Sequence, residues 1–471
     1  MDDFVGRNRE LETFERCRAE SRSHFIAVYG RRRVGKTFLI RHYFKNQFSF
    51  YATGLANADM KTQLTAFHTQ LVQFSGSDNS DSIPKSWLEA FSRLIVILKN
   101  SKKKKKVIFL DELPWMDTRR SGFLTALEYF WNSWASARND IMLVVCGSAA
   151  SWMINKLLMA KGGLHNRVTQ QIKVEPFTLH EVELFLRSRK YKIDRYQIIQ
   201  LYMSLGGVAY YLEKLDARFS VSQNIETLCF GSQSLMNEEY DILFYSLFDS
   251  PQKHMSVIEA LATSKQGLTR VQIIKKTKLS NAGSTTRILK ELELSNFIRS
   301  YRQFGKKTRE TTYQLIDSFT LFYHRFIKDK PESDNNWMNI INTPDYYSWA
   351  GNAFEVVVLQ HISQVKLKLG IAGVYVEISS FQNKNAQIDL VIDRKDRIIN
   401  LIEAKFSINP YEITKKYDAT LRTKLSEFIK HSNTKKAVWL TMVTIFGLKN
   451  NAYAGNVQRV LTMEDLFVES V

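Results

Sequence analysis

Gly30-Arg31-Arg32-Arg33-Val34-Gly35-Lys36-Thr37 follows the apolar run Phe25 to Tyr29 and leads into Thr37 to Phe44, a stretch that reads as a helix. The order is strand, glycine-rich loop, helix. Glycines let a backbone wrap closely around a phosphate, and a helix N-terminus aims amides and partial positive charge at it. Lys36 is placed to reach the β and γ phosphates of a nucleoside triphosphate, and the Thr37 hydroxyl to hold Mg²⁺. The expected nucleotide contacts run from Gly30 to Phe38.

Two further strand ends are read outward from that loop. Val107 to Leu110 is a buried-strand pattern that ends in Asp111-Glu112. Beside a phosphate loop, Asp111 is expected to hold Mg²⁺ through water, and Glu112 to orient or deprotonate an attacking water. Ile141 to Val145 ends in Cys146-Gly147-Ser148, where Ser148 is the candidate to touch the γ-phosphate or that water. The other reading of Ser148 is a small residue in a tight turn. Arg167, after Gly162-Gly163, is a candidate transition-state cation, in cis or from a neighbouring subunit, or else a surface ion-pair partner. Ser49 to Ala52 adds a strand, and Met60 to Phe74, Trp87 to Leu98 and Gly122 to Trp134 add helices. Strands alternating with helices imply a parallel sheet covered on both faces.

From Pro176 the pattern turns helical, with Leu179 to Arg189 and Asp194 to Leu205 reading as a lid. Three short helices, His254 to Thr263, Arg270 to Thr277 and Ser284 to Ser295, precede strands at Phe297 to Tyr301 and Thr311 to Leu315. That is the order of a winged helix-turn-helix. Arg287, Lys290, Arg299, Arg302, Lys306, Lys307 and Arg309 could meet nucleic acid there. Lys330 to Pro344, rich in Asp, Asn and Pro, reads as a linker. A helix (Phe354 to Leu369), strands (Val374 to Ile378, Gln387 to Ile392, Ile398 to Phe406, Ala437 to Met442) and a helix (Thr420 to Lys430) then make a small α/β domain.

The 471 residues are too many for one core, and their formal net charge of +19 favours a polyanion partner, nucleic acid first. The lysine run Lys102 to Lys106 reads as a solvated loop. Three widely spaced cysteines give no metal or disulfide framework. The N-terminus lacks signal-peptide regions, and no apolar run reaches the roughly 18 residues of a membrane span. A cytoplasmic protein with no membrane partner is expected.

These motifs resemble, over nearly the whole chain, the archaeal and bacterial P-loop ATPases of the STAND/AAA+ assemblage. The resemblance rests on Phe4-Val5-Gly6-Arg7 with Glu10-Leu11, the phosphate loop, Leu110 to Trp115, and Cys146-Gly147-Ser148 with Trp152-Met153. Gly206-Gly207 with Tyr211-Leu212, and Leu315 to Phe319 with Phe322-Tyr323, extend it. It implies that Phe4 to Arg7 lie against the adenine. Ala209 stands where the family often has proline. The resemblance also implies a C-terminal PD-(D/E)xK restriction-endonuclease-like fold, with Glu355, Asp389, Glu403 and Lys405 at the matching positions. Asp389 and Glu403, with Glu355, would bind Mg²⁺ or Mn²⁺, and Lys405 would position water for phosphodiester attack. Gln387 replaces a frequent glutamate.

The expected organisation is an ATPase core (1–175), helical lid (176–248), winged helix (249–329), linker (330–345) and nuclease-like domain (346–471). The expected function is an ATPase that couples nucleotide state to a DNA-acting, Mg²⁺-dependent nuclease domain, in a homo-oligomer. The alternative is an ATP-dependent signalling scaffold whose C-terminal domain only binds a partner.

Overall fold

The computed structural model describes residues 4–76, 82–159, 166–230, 234–305, 311–328 and 336–469. They fall into two compact units, Gly6–Glu175 and a second made of Met1–Val5 with Pro176–Val471.

In the first unit, β1 (His24–Tyr29), β2 (Phe50–Thr53), β3 (Lys106–Asp111), β4 (Ile141–Gly147) and β5 (Gln170–Lys173) form one sheet in the order β2-β3-β4-β1-β5. Every pairing is parallel. β1, β3 and β4 are buried along their whole length, as continuous apolar runs in a doubly covered parallel sheet must be. β5 is an edge strand absent from the sequence reading, because Gln170-Gln171-Ile172-Lys173 buries only Ile172 and carries no apolar period. Helices Met60–Ser75, Trp87–Asn100 and Phe123–Phe130 close one face through edge-to-face and stacked aromatics. Phe67 meets Trp87 at 5.4 Å, Trp87 meets Phe123 at 4.8 Å, and Phe91 meets Phe130 at 5.3 Å. The last helix does not run unbroken to Trp134 but loosens into a π turn over Trp131–Ala135.

The lysine run is solvated at Lys102 to Lys104, which are exposed, but it is also anchored to its surroundings. Lys103 donates to the carbonyls of Gln47 and Phe48, Lys105 to those of Glu20, Arg22 and Asn139, and Lys106 pairs with Asp140 at 2.6 Å. The Lys103 and Lys105 ammonium groups thus satisfy backbone carbonyls of neighbouring segments.

In the second unit, segments on both sides of residue 330 share one hydrophobic core, from Phe177 to Phe467. Helices Pro251–Ala262, Arg270–Thr277 and Gly283–Leu294 pack with β6 (Leu268–Thr269), β7 (Ile298–Tyr301) and β8 (Thr312–Leu315), an antiparallel sheet in the order β6-β8-β7. The stretch read as a linker is described from residue 336 onward, and there it is not extended. Asn336–Ile340 is a helix, and Trp337 is buried among Phe230, Phe322, Phe326 and Trp349. Helix Pro344–Gln360 begins ten residues earlier than its apolar spacing suggested, capped by Thr343.

The second sheet holds β9 (Val376–Gln382), β10 (Gln387–Arg394), β11 (Ile398–Lys405), β12 (Ala437–Thr444) and β13 (Arg459–Leu461), in the order β13-β12-β11-β10-β9. Its outer edge is met by the segment after β7. Gln303 pairs with Ser380, the Phe304 amide donates to the Ser380 carbonyl at 2.6 Å, and the Phe304 ring lies 5.0 Å from that of Phe428. His361 is buried at a helix junction. Its Nε2 accepts the Leu179 amide at 2.9 Å, so the proton sits on Nδ1, which donates to the Val357 carbonyl at 2.8 Å.

Candidate nucleotide site and acidic cluster

The phosphate loop starts at Gly30, whose φ of 148° belongs to glycine. A Cβ there would fall 2.1 Å from the Val174 carbonyl oxygen. Arg33, at φ 70°, and Gly35, at φ 91°, turn the chain into the helix that opens at Lys36. Arg31 is almost fully buried. The Lys36 ammonium curls back into its own loop, donating to the carbonyls of Gly30 at 3.0 Å and Arg31 at 2.8 Å. Burial holds it below the usual lysine range, with Cys146, Glu112 and Asp111 acting the other way.

The Thr37 hydroxyl donates to Asp111 at 2.9 Å. Asp111 is buried and also accepts the Glu112 amide at 3.0 Å. A hydroxyl and a carboxylate side by side are the hard oxygen donors that magnesium takes, so the pair fits the cation expected beside the phosphates. Glu112 sits at φ 46°, a left-handed conformation rare for a residue with a side chain. This turn brings its carboxylate to β4, where Ser148 holds it. The Ser148 hydroxyl lies 3.0 and 2.9 Å from its two oxygens, and the Ser148 amide lies 3.2 Å away. Gly147 allows that approach, since a Cβ there would come within 2.7 Å of Pro114.

The remaining candidates are placed less centrally. The Arg7 guanidinium donates to the Val34 carbonyl at 3.1 Å, so it touches the phosphate loop. Gly6 and Arg7 belong to the first unit, Phe4 and Val5 to the second. Phe38 is 54% exposed on the first helical turn, and Arg167 is exposed. Gly162 and Gly163 lie outside the described residues. Gln63, unnoticed in the sequence, is buried and bonds both backbone groups of Leu55 and the Trp115 carbonyl. It ties the segments after β2 and β3 together.

In the second unit, Glu355, Asp389, Glu403 and Lys405 share one neighbourhood. Burial first, and then the Asp389 carboxylate, push Glu355 up to about 8, with Glu403 adding to the effect and Lys405 and Lys265 opposing it. Asp389 falls where the β10–β9 register shifts between Ile388 and Val391, a bulge of the kind that re-aims side chains. Gln387, in place of a glutamate, donates to Asp389 at 2.6 Å and is itself bonded by Gln266. Glu403 is buried and held by three groups. Lys424 lies at 2.5 Å, the Tyr417 hydroxyl at 3.2 Å and Lys405 at 3.8 Å. Tyr417 and Lys424 are seven residues apart on helix Lys415–Ser432, so one helical face delivers both. Among the described residues no group of three or more His, Cys, Asp or Glu is arranged to hold a metal ion. With Glu403 already neutralised, the carboxylates as they stand do not form the expected divalent-cation site.

The basic residues expected on a DNA-facing wing divide. Arg299 is partly buried, donates to Gln314 at 2.8 Å and stacks 4.7 Å from the Tyr301 ring. Burial lowers it to about 10, with Tyr301 and Asp389 opposing. It faces the acidic cluster rather than solvent. Arg287 is paired with Glu291 at 2.8 Å. Lys290 and Arg302 are exposed, and Lys306, Lys307 and Arg309 lie outside the described residues. Among the described residues no helix is long and apolar enough to cross a membrane.

Comparison with known proteins finds relatives for the part of the chain that carries the phosphate loop. Residues 4–215 match the family described as an ATPase domain predominantly from Archaea. An uncharacterized protein of Methanocaldococcus jannaschii is 23% identical over 410 residues, 86% of this chain and 87% of its own length. An uncharacterized ATP-binding protein of the same organism is 50% identical over 44 residues, 9% of this chain and 75% of its own. Among solved structures, a Walker-type ATPase of Pyrococcus abyssi aligns at a TM-score of 0.48 and 16% identity, over 69% of this chain and 97% of that one. Residues 4–215, with their phosphate loop and parallel five-stranded sheet, are thus similar to the P-loop ATPase domains of this predominantly archaeal family.

Proposed function

We propose that the chain is an ATP-hydrolysing switch that acts on DNA, with nucleotide state governing access to the acidic cluster of its C-terminal segment. The observation that carries the hydrolytic half is the continuous set Lys36, Thr37, Asp111, Glu112 and Ser148, brought together from three strand ends. Lys36 is the point charge for the β and γ phosphates, and its present bonds to loop carbonyls are ones a phosphate would replace. Thr37 and Asp111 would hold Mg²⁺, which when bound neutralises charge on the phosphate oxygens. Glu112 orients the attacking water and accepts its proton, and Ser148 fixes the direction of the Glu112 carboxylate. Arg167, exposed, is available to a neighbouring copy in a homo-oligomer. Phe4 to Arg7 would line the adenine.

The DNA-acting half rests on the meeting of Glu355, Asp389, Glu403 and Lys405. As a nuclease-like centre it requires Lys424 and Tyr417 to release Glu403. In this reading residues 176–248 serve as lid, 249–329 as winged helix and 346–471 as nuclease-like domain. A second reading, a scaffold whose C-terminal domain only grips a partner, is favoured by the Lys424–Glu403 pair, which occupies the carboxylate a cation would need.

The test combines three variants. Lys36→Ala should abolish ATP binding, and Glu112→Gln should keep binding while blocking turnover. Asp389→Ala should abolish plasmid cleavage in Mg²⁺ or Mn²⁺ and leave ATP hydrolysis intact. Unchanged hydrolysis in Glu112→Gln defeats the first half. A wild type that cleaves no DNA form, and takes up no Mn²⁺ by calorimetry, leaves the scaffold.

A further inference from the structure

The charge of this chain is unevenly distributed. Residues 6–175 hold 27 lysines and arginines against 14 aspartates and glutamates, so they carry +13 of the +19. A cavity of about 810 Å³ in that unit is lined by Arg18, Lys45, Lys103, Lys104 and Lys105. It lies at the C-terminal ends of helices Asn8–Ala19 and Lys36–Tyr43 and at the turns entering β3 and β4. The phosphate loop leaves the opposite end of β1, so both places can be filled at once.

Only two carboxylates line the cavity, and each is already committed. Glu20 pairs with Arg22 at 2.6 Å, and Asp140 with Arg138 at 2.7 Å and Lys106 at 2.6 Å. The ammonium groups of Lys103 and Lys105 are held on backbone carbonyls at the cavity wall. Arg18, Lys45 and Lys104 are exposed around them. Five cations on three separate elements thus face one concavity whose own acids do not neutralise them.

We propose that this cavity is where the ATPase domain grips the phosphate backbone of a nucleic acid, which rests on the DNA-acting reading above and names its surface. A backbone is a ridge of regularly spaced charges that can enter a concavity, whereas an anionic bilayer is flat and among the lining residues finds only Ala19 as an exposed apolar side chain. The lining offers no exposed aromatic to stack on a base, so the contact is independent of sequence.

The test uses the full-length protein, a short labelled duplex and vesicles of phosphatidylserine with phosphatidylcholine. The triple variant Arg18→Gln/Lys45→Gln/Lys104→Gln spares the two carbonyl-capping lysines, and its ATPase rate checks folding. Lys104→Gln alone, in an exposed turn, is the milder version. Lys415→Gln/Lys416→Gln/Lys435→Gln removes three exposed cations elsewhere. The cavity variant should bind duplex at least tenfold more weakly at about 100 mM salt, and its log–log salt slope should flatten by about 0.9 per lost phosphate contact. The single variant should show a smaller loss in the same direction, and the control should stay within threefold. Equal losses in cavity and control variants, or tighter binding to vesicles than to duplex, overturn the proposal. A wild type with no affinity for duplex at low salt removes the DNA-acting reading itself.

Discussion

Ser148 holds the carboxylate of Glu112 from the neighbouring strand end, with its hydroxyl 2.9 and 3.0 Å from the two oxygens and its amide 3.2 Å away. A hydrogen bond to a charged group contributes roughly 1.5–3 kcal/mol. Ser148→Ala should therefore lower kcat about tenfold or more, because Glu112 loses its aim, while KM for ATP changes little. Steady-state hydrolysis measured with both parameters checks it. An unchanged kcat removes Ser148 from the catalytic set.

Gly30 tests the backbone side of the site. An added methyl meets the Val174 carbonyl oxygen at 2.1 Å, and the residue's φ of 148° excludes side chains. Gly30→Ala should cost about 1–3 kcal/mol or more in stability and weaken nucleotide binding sharply. ATP should then raise the melting temperature of the wild type and leave that of the variant unmoved.

Lys424 pairs with Glu403, the carboxylate that a metal at the acidic cluster would need. Lys424→Ala should raise Mn²⁺ affinity by about an order of magnitude, because Glu403 regains an open charge, and cost about 1–3 kcal/mol in stability without metal. Calorimetric titration with Mn²⁺ and thermal unfolding with and without it give both numbers. An affinity that does not change favours the scaffold.

His361 supplies a pH dependence. Burial, opposed by its bond to the Val357 carbonyl, lowers its pKa from 6.5 to about 4. Between those values the unfolded chain takes up a proton that the folded chain refuses. Its contribution is therefore complete above 6.5 and is lost as the pH falls toward 4, at no more than about 1.4 kcal/mol per pH unit. Wild type should lose more melting temperature between pH 7 and pH 5 than His361→Gln, whose side-chain oxygen can still accept the Leu179 amide. Parallel pH profiles would refute this.

The sequence spoke clearly where chemistry is local. The phosphate loop and Asp111-Glu112 are contiguous, and their apolar strands announce the parallel sheet. Ser148 was visible as a strand-end residue, but its partner was not, since the bond to Glu112 depends on β3 lying beside β4 and on the left-handed turn at Glu112. The acidic cluster was legible through Glu403 and Lys405, which alternate onto one strand face. Lys424 was not, because it arrives from a helix two turns after Tyr417. Local composition misled at Trp337, set among Asp and Asn, whose burial is fixed by Phe230, more than a hundred residues earlier. Arg299 misled likewise, because a cation on a strand gives no hint that another sheet will cover it.

The pairing of Gln303 with Ser380 has a practical corollary for dissection of this molecule. β9 is the last strand on its side of the second sheet, and the segment after β7 occupies hydrogen-bonding groups that would otherwise face water. An uncovered strand edge is a template for self-association. A fragment beginning near residue 336 would be stripped of that cover and of the Phe304 ring over Phe428. Isolated in this way it should aggregate or dimerise through β9, and any nuclease assay on it would report the behaviour of an artificial assembly. Fragments that start before residue 249 keep the cover in place.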